Sequence, residues 1–327
     1  MSIFQTDAWQ TAWWREWGQT RGFQLLEQGG SGVSGVYIDK YLLKGLIPLR
    51  CLQFVGTNYR RISTPRTEYN SFVCSKETFD QGAGRLERLL SSCGWSEAVF
   101  RDVIKQSPEA LHLQNLAHKA GWSYRVVDSD VAYSIETTGS FDNYLSALGP
   151  NTRLRLFNRR KVLETCGELS FANAWPGSPD DFFNALNAFH VERWGQPCFS
   201  ARSLRFHKDF LTHVVEEGGV PDLSIMRCDG TAVSVLYNVH YRGRCYNLQS
   251  GYQEDFHPKL ALGTLHLGYS IEEAFENAGI ADFDLLAGSG KNEDYKARLA
   301  THAEPLISFM LVRSRIFRYL YRIKSGN

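Results

Sequence analysis

Residues 223–252 contain three runs of β-branched and aromatic residues, LSIMRC, TAVSVLYNVHY and RCYNLQSGY, joined by Asp229–Gly230 and then by Arg242–Gly243. Two-residue connections of this type between such runs are hairpin signals, so three antiparallel strands follow one another. After them Leu267, Ile271, Ala274, Phe275 and Ala278 recur at helical spacing as one apolar face, while Glu272, Glu273 and Glu276 point elsewhere and Gly279 is the expected stop. ADFDLLAG, residues 281–288, then reads as a buried strand. The resulting order is strand, strand, strand, helix, strand, a mixed α+β arrangement.

Upstream, residues 141–149 and 150–167 read as helices, 169–175 as a strand, and 178–195 as a helix with Ser178 as N-cap and Pro179 at its first position. The first half begins with a helix that places Trp9, Trp13 and Trp17 on one face, the pattern of a helix docked on a core. Strand-like runs at 34–49, 50–56, 95–103 and 122–127 alternate there with helix-like runs at 80–94 and 107–121. Thr, Gly, Ser and Pro collect at 136–150, which divides the chain into units 1–138 and 139–327.

A chain of 327 residues with 43% apolar residues can fill real cores. A formal charge of +1 gives no whole-molecule field that would favour a polyanion. The seven cysteines form no CxxC and leave one over, so neither a zinc site nor a disulfide framework is expected, and no metal. The start MSIFQTDAWQTAWWREWG has no charged-then-apolar leader, and no run approaches the roughly 20 apolar residues of a membrane span. A cytoplasmic protein is expected.

The stretch from the QSGY strand end to Gly263–Thr264 leaves backbone N–H groups unpaired where the helix dipole adds positive charge, which suits a phosphate. Glycines of this kind also occur in any strand-to-helix connection. On the 178–195 helix, His190, Arg193 and Trp194 share one side, and an imidazole is the side-chain type suited to act as a base near neutral pH. Glu254, just past the strand end, is the rival base. Arg153, Arg155, Arg159, Arg160 and Lys161 crowd one helical segment whose apolar residues are equally dispersed, so some of them are expected to meet carboxylates or phosphates. The tail from 312 onward carries five basic and no acidic residues among Ile316, Phe317, Tyr319, Leu320 and Tyr321. It suits an anionic membrane surface or RNA, a solvated terminus being the plain alternative.

Several separated pieces, NTRLRLFNRRKVLETCGELSF, FHVERWG, YNLQSGY, the helix opened by Gly263, AGIADFDLLAG and Tyr295–Lys296, resemble the CelD-like and FemAB-like branch of the GNAT acyltransferase superfamily. IPL, LQFVG and EYN carry the likeness into the first half. The resemblance implies tandem GNAT-like units, each a mostly antiparallel twisted sheet flanked by helices, the first degenerate and the second catalytic. It implies an N-acyltransferase using acetyl-CoA or another acyl-CoA, with Gln249, Ser250, Gly251, Lys259, Gly263, Thr264 and Lys296 around the donor and Tyr295 as general acid. His190 and Glu254 are then the candidate bases, and Arg159, Arg160, Arg193, Trp194 and Tyr252 the acceptor side. Members of the branch often act on sugars or envelope precursors, so the implied acceptor is an amino sugar or polysaccharide intermediate. The Gln/Arg-x-x-Gly-x-Gly loop of ordinary GNAT enzymes is missing, since PKLALGT offers Gly263 alone with Lys259 upstream. Two alternatives therefore stand: a FemAB-like ligase taking an aminoacyl group from tRNA, and a scaffold that kept the fold and lost the chemistry.

Overall fold

The computed structural model describes residues 1–288 and 291–325. The chain runs through α1 (Asp7–Trp17), β1 (Phe23–Glu27), β2 (Val36–Leu43), β3 (Ile47–Phe54), α2 (Phe79–Ser92), β4 (Glu97–Ile104), α3 (Pro108–Lys119) and the long β5 (Ser123–Glu136). Next come α4 (Phe141–Ala147), α5 (Pro150–Arg153), a π-turn (Leu154–Asn158), α6 (Arg160–Leu163), β6 (Leu169–Asn173), α7 (Pro179–Trp194) and α8 (Ala201–Val214). The remainder is β7 (Val220–Cys228), β8 (Thr231–Tyr241), β9 (Arg244–Tyr252), α9 (Leu262–Glu276), β10 (Asp282–Ala287), α10 (Lys291–Leu299), β11 (His302–Val312) and α11 (Arg315–Ser325).

Two compact units result. One holds Met1–Asp130, Arg205–Glu217 and the described chain from Glu304 on; the other holds Val131–Leu204 and Gly218–Ala303. This differs from a division at 138/139: two later segments return to the first unit. Residues 205–217 are drawn there by aromatic burial, with the Trp9 ring 4.9 Å from Phe206 and from Phe210, and Trp17 5.3 Å from Phe206. Ion pairs Arg15–Asp209 and Arg205–Glu16 frame that contact, and the Ala8 N–H donates to Glu217 Oε1 at 2.6 Å.

In the first unit the strand order is β1-β2-β3-β4-β11. All pairs are antiparallel except β3–β4, which run parallel over Cys51–Gln53 against Glu97–Val99. A parallel pair needs a crossover, and α2 provides it. Leu86, Leu90, Leu113 and Ala117 of α2 and α3 cover one face of this sheet. Phe317 of α11 joins Leu49, Val99 and Met310 on the other.

The second unit repeats the scheme as β5-β10-β9-β8-β7-β6. Only β9–β10 are parallel, and α9 is the crossover. Leu267, Ile271 and Ala274 of α9 pack into a core with Phe283 and Leu285, so the apolar face read from the sequence is the buried one. The strand that flanks the parallel pair comes from the opposite half of the chain in each unit: β11 for the first, β5 for the second. Both units are mixed α+β with mostly antiparallel sheets flanked by helices.

Some local expectations change. The 150–167 segment is not one helix but α5, the π-turn and α6, because the Arg159 N–H reaches the Leu154 carbonyl, five residues back, at 3.2 Å. The bulge carries the Leu156 carbonyl against α9 at Gly268, where a Cβ would stand 2.2 Å from it. Helix α9 begins at Leu262 and is capped by Asn277, so Gly279 lies beyond its end. ADFDLLAG is not the last strand, since β11 follows, and β1, α8 and α11 are elements that short apolar runs did not announce.

His207 in the first unit and His266 in the second are buried, and burial lowers the pKa of each to about 3. The unfolded chain binds these protons near pH 6.5 while the fold refuses them, so stability present above that pH is lost as pH falls. Each histidine is expected to remove about 1.4 kcal/mol per pH unit below about 6.5. Urea unfolding of the whole chain between pH 7 and pH 5 checks this, and His266→Asn should flatten the slope of the second unit's transition; an unchanged slope disproves the assignment.

Candidate active site

Strands β9 and β10 pair at three positions, Arg244 with Asp282, Cys245 with Phe283 and Tyr246 with Asp284, and then part. On its other edge β10 pairs with β5 throughout, from Asp282 opposite Glu136 to Ala287 opposite Ala132, with a bulge between Asp284 and Leu286. Leu286 has φ +59, a left-handed conformation that a leucine adopts only when its surroundings impose it. They do so from two sides. Asp284 Oδ1 accepts the Leu286 N–H at 2.8 Å, and the Lys296 ammonium donates to the carbonyls of Leu286 and Ala287 at 3.1 and 2.8 Å. Arg244 clamps the paired end, reaching Asp284 at 3.2 Å and Asp282 at 3.3 Å. Residues Asn247 to Ser250 of β9 are therefore half-buried on an edge that β10 has left.

The sequence-derived candidates gather at this edge. Gly251 packs against α7, where a Cβ would lie 2.9 Å from Leu186. One turn further along α7, His190 Nε2 is 3.1 Å from the Ser250 carbonyl. Since a carbonyl only accepts, the neutral ring carries its proton on Nε2 and its lone pair on Nδ1. Arg193 donates to the Tyr252 hydroxyl at 2.7 Å and pairs through Nε with Glu254 at 2.7 Å. Its guanidinium lies 4.7 Å from the Trp194 ring and 5.1 Å from that of Tyr252. Gln249 accepts the Ser250 N–H at 3.0 Å. It also bonds the Cys198 thiol, whose pKa burial nonetheless raises to about 11, too high for a nucleophile at neutral pH.

Tyr295 is 39% exposed. Packing around its phenol raises the pKa, and the Tyr252 phenol adds to the effect. Gly263 sits in the first turn of α9 with its Cα against the Tyr252 ring; a Cβ would stand 2.4 Å from that ring. The glycine thus permits a close aromatic contact as well as opening the helix. By helix geometry the N–H groups of Leu262, Gly263 and Thr264 have no partner within α9. Leu262 is buried, Gly263 and Thr264 half-buried and Lys259 exposed.

Other candidates lie elsewhere in this unit. Lys296 holds the end of β10, as described, so its ammonium serves the strand rather than an open surface. Arg160 pairs with Glu272 and stacks on Phe157 and Tyr269, 4.4 and 3.7 Å from the ring centroids. Arg159 is half-buried on the neighbouring turn.

A cavity of about 390 Å³ beside α9 was not foreseen. Asp222, Ser224, His266, Glu273 and Phe171 are among its lining residues. Behind it a polar line crosses the sheet: Ser224 Oγ to His266 Nε2 at 3.0 Å, His266 Nδ1 to Ser234 Oγ at 2.9 Å, and Ser234 Oγ to the Gly251 carbonyl at 3.3 Å. Because that carbonyl only accepts, the Ser234 hydroxyl donates to it, His266 donates from Nδ1, and Ser224 donates to Nε2. Burial raises the carboxyl pKa of Asp222 and lowers that of His240, against which Glu273 works. The signal was available: His266 and Ser270 lie on the apolar side of an amphipathic helix, and Asp284 stands inside a buried strand. Among the described residues no group of three or more His, Cys, Asp or Glu side chains is placed to hold a metal ion.

Residues 150–297 match the model of an acetyltransferase (GNAT) domain. Among solved structures the chain is similar to FemX, with a TM-score of 0.61, 12% identity and coverage of 98% of each chain. It is also similar to the C-terminal domain of a putative lysylphosphatidylglycerol synthetase from Agrobacterium fabrum (TM-score 0.52, 11% identity, 99% of this chain and 93% of the other). A conserved protein of unknown function from Bacteroides thetaiotaomicron has a TM-score of 0.52 at 9% identity, over 95% of this chain and 90% of its own. No curated protein matches the sequence. At these identities the structures speak for the fold, and the domain match for an acyltransferase-type domain. Residues 150–297 thus match an acetyltransferase (GNAT) domain, in a chain that shares the fold of FemX.

Proposed function

We propose that the second unit is an N-acyltransferase that moves an acyl group from acyl-coenzyme A to an amine, the acceptor being an amino sugar or a polysaccharide or envelope precursor. The observation that carries this reading is the parting of β9 from β10, which leaves the Asn247–Ser250 edge of β9 without a β10 partner beside His190, Arg193 and Glu254. Acyl-coenzyme A, when bound, supplies a thioester carbonyl with a thiolate leaving group. The β9 edge then offers N–H donors to polarise that carbonyl. The amides that open α9, with Thr264 and Lys259, face phosphate charge.

The acceptor nitrogen attacks the carbonyl carbon as the carbon–sulfur bond breaks. Its proton goes to Nδ1 of His190, directly or through a water, or to the free oxygen of Glu254, whose Oε1 is held by Arg193. Tyr295, kept protonated by its surroundings, gives its phenolic proton to the departing sulfur. Trp194, 62% exposed beside Arg193, offers an apolar face with a polar edge, the kind of surface on which a sugar ring lies.

The FemX-like fold favours one further reading, transfer of an aminoacyl group from tRNA. The same edge and the same acid serve it, so the donor has to be identified directly. Thermal shift with acetyl-CoA, longer acyl-CoAs and tRNA added separately separates the two: a ligand at a hundred times its Kd adds about 2.7 kcal/mol of stability. A shift with acyl-CoA alone supports the first reading, a shift with tRNA alone the second, and no shift with either overturns both.

Tyr295→Phe is expected to lower kcat by about a hundredfold or more, the usual reach of a positioned acid, with stability changed by no more than about 0.5 kcal/mol. Steady-state kinetics beside a urea melt would expose the error if turnover were untouched. Gly263→Ala sets a Cβ against the Tyr252 ring. It should raise KM for the donor and cost roughly 1–3 kcal/mol of stability.

A further inference from the structure

Helix α11 has three sectors. Phe317 and Tyr321 form the side that packs on the sheet of the first unit, in the cluster with Leu49, Val99 and Met310. Ile316, Tyr319, Leu320 and Ile323 recur at i, i+3, i+4 and i+7 as a second apolar stripe that nothing covers among the described residues, with exposures of 66, 66, 37 and 54%. Arg315, Arg318 and Arg322 fill the sector between these two. The Arg318 guanidinium donates to the Gly121 carbonyl at 2.7 Å, which fixes this helix against the unit as well.

We propose that this outward surface of α11 rests on an anionic phospholipid bilayer, with the apolar stripe in the acyl boundary and the arginines among the headgroups. At 11 residues the helix is too short to span a bilayer, and its separation of an apolar from a cationic sector is that of a helix lying in the interface. Charge selects this occupant. Between Arg313 and Arg322 the chain has four arginines and no carboxylate, so a second copy stacked on the same face would set arginine against arginine. Nucleic acid would use the arginines and Tyr319, yet it leaves Ile316, Leu320 and Ile323 without a contact that rewards their exposure.

Cosedimentation of the full chain with vesicles tests the proposal. The protein is expected to pellet with vesicles of phosphatidylcholine mixed with phosphatidylglycerol, weakly with phosphatidylcholine alone, and less as salt is raised. Both I316D/I323D and R315E/R322E should lower partitioning by about tenfold or more, since each basic residue near such a surface accounts for roughly a fivefold effect. All four positions are exposed, and thermal melts establish that the variants remain folded; Tyr319→Asp alone is the substitute if either double variant does not. Absence of pelleting with the anionic vesicles, equal pelleting on both lipids, or full binding by the folded variants overturns the proposal. So does light scattering that finds a dimer dissolved by I316D/I323D, or an RNA gel shift abolished by R315E/R322E, where the vesicles themselves are not bound.

Discussion

The second unit depends on where β10 stops pairing with β9. A parallel pair would ordinarily continue to the end of its strands, and here it is stopped after three residues by a buried carboxylate. Asp284, fully buried, takes Arg244 on one oxygen and the Leu286 N–H on the other. Unpaired, that charge would be costly, and breaking such a buried pair typically removes about 3–5 kcal/mol. Its two bonds fix the clamp and the bulge at once. Lys296 completes the bend by donating to the carbonyls of the left-handed Leu286 and of Ala287. The open edge of β9 is thus the by-product of a charged triad, not of a loose sheet end.

Because the edge is rigid, side chains around it can be positioned by packing. Tyr252 shows how: its ring is pressed on Gly263 from α9, its hydroxyl receives Arg193 from α7, and its phenol raises the pKa of Tyr295 from α10. One residue at the strand end therefore touches two helices, α9 and α7. Arg193 in turn is held between two aromatic rings and a carboxylate, so a planar cation with few alternative rotamers faces the edge.

Much of this was legible in the sequence. The two hairpins of β7–β9, the amphipathic α9 and the buried β10 fall where the spacing set them, and the helix relation of His190, Arg193 and Trp194 does put them on one side. What was not legible is of two kinds. The short β1 carries no periodicity; α8 does carry one, with Phe206, Phe210, Leu211 and Val214 on one face, but not the identity of its partners, since Trp9 and Trp17 lie about two hundred residues away. Sequence gives charge without its partner: Lys296, placed at the donor, donates to the nearby Leu286 and Ala287 carbonyls, and Arg160, placed on the acceptor side, pairs with Glu272 more than a hundred residues away. The π-turn escaped for a related reason, since it answers to Gly268, more than a hundred residues away.

The unit also keeps two kinds of histidine apart. His266 is desolvated, neutral and bonded through both nitrogens, so it cannot exchange protons with a substrate near neutral pH; what it does is tie Ser234, and through it the Gly251 carbonyl, to the sheet. His190 meets the adjacent Ser250 carbonyl through one nitrogen and leaves the other available. Successive carbonyls of an extended strand point to opposite sides, so the two histidines grip the same stretch of β9 from its two edges. A fixed polar line thus lies on the closed side of the strand, and on the open side a ring with one nitrogen uncommitted.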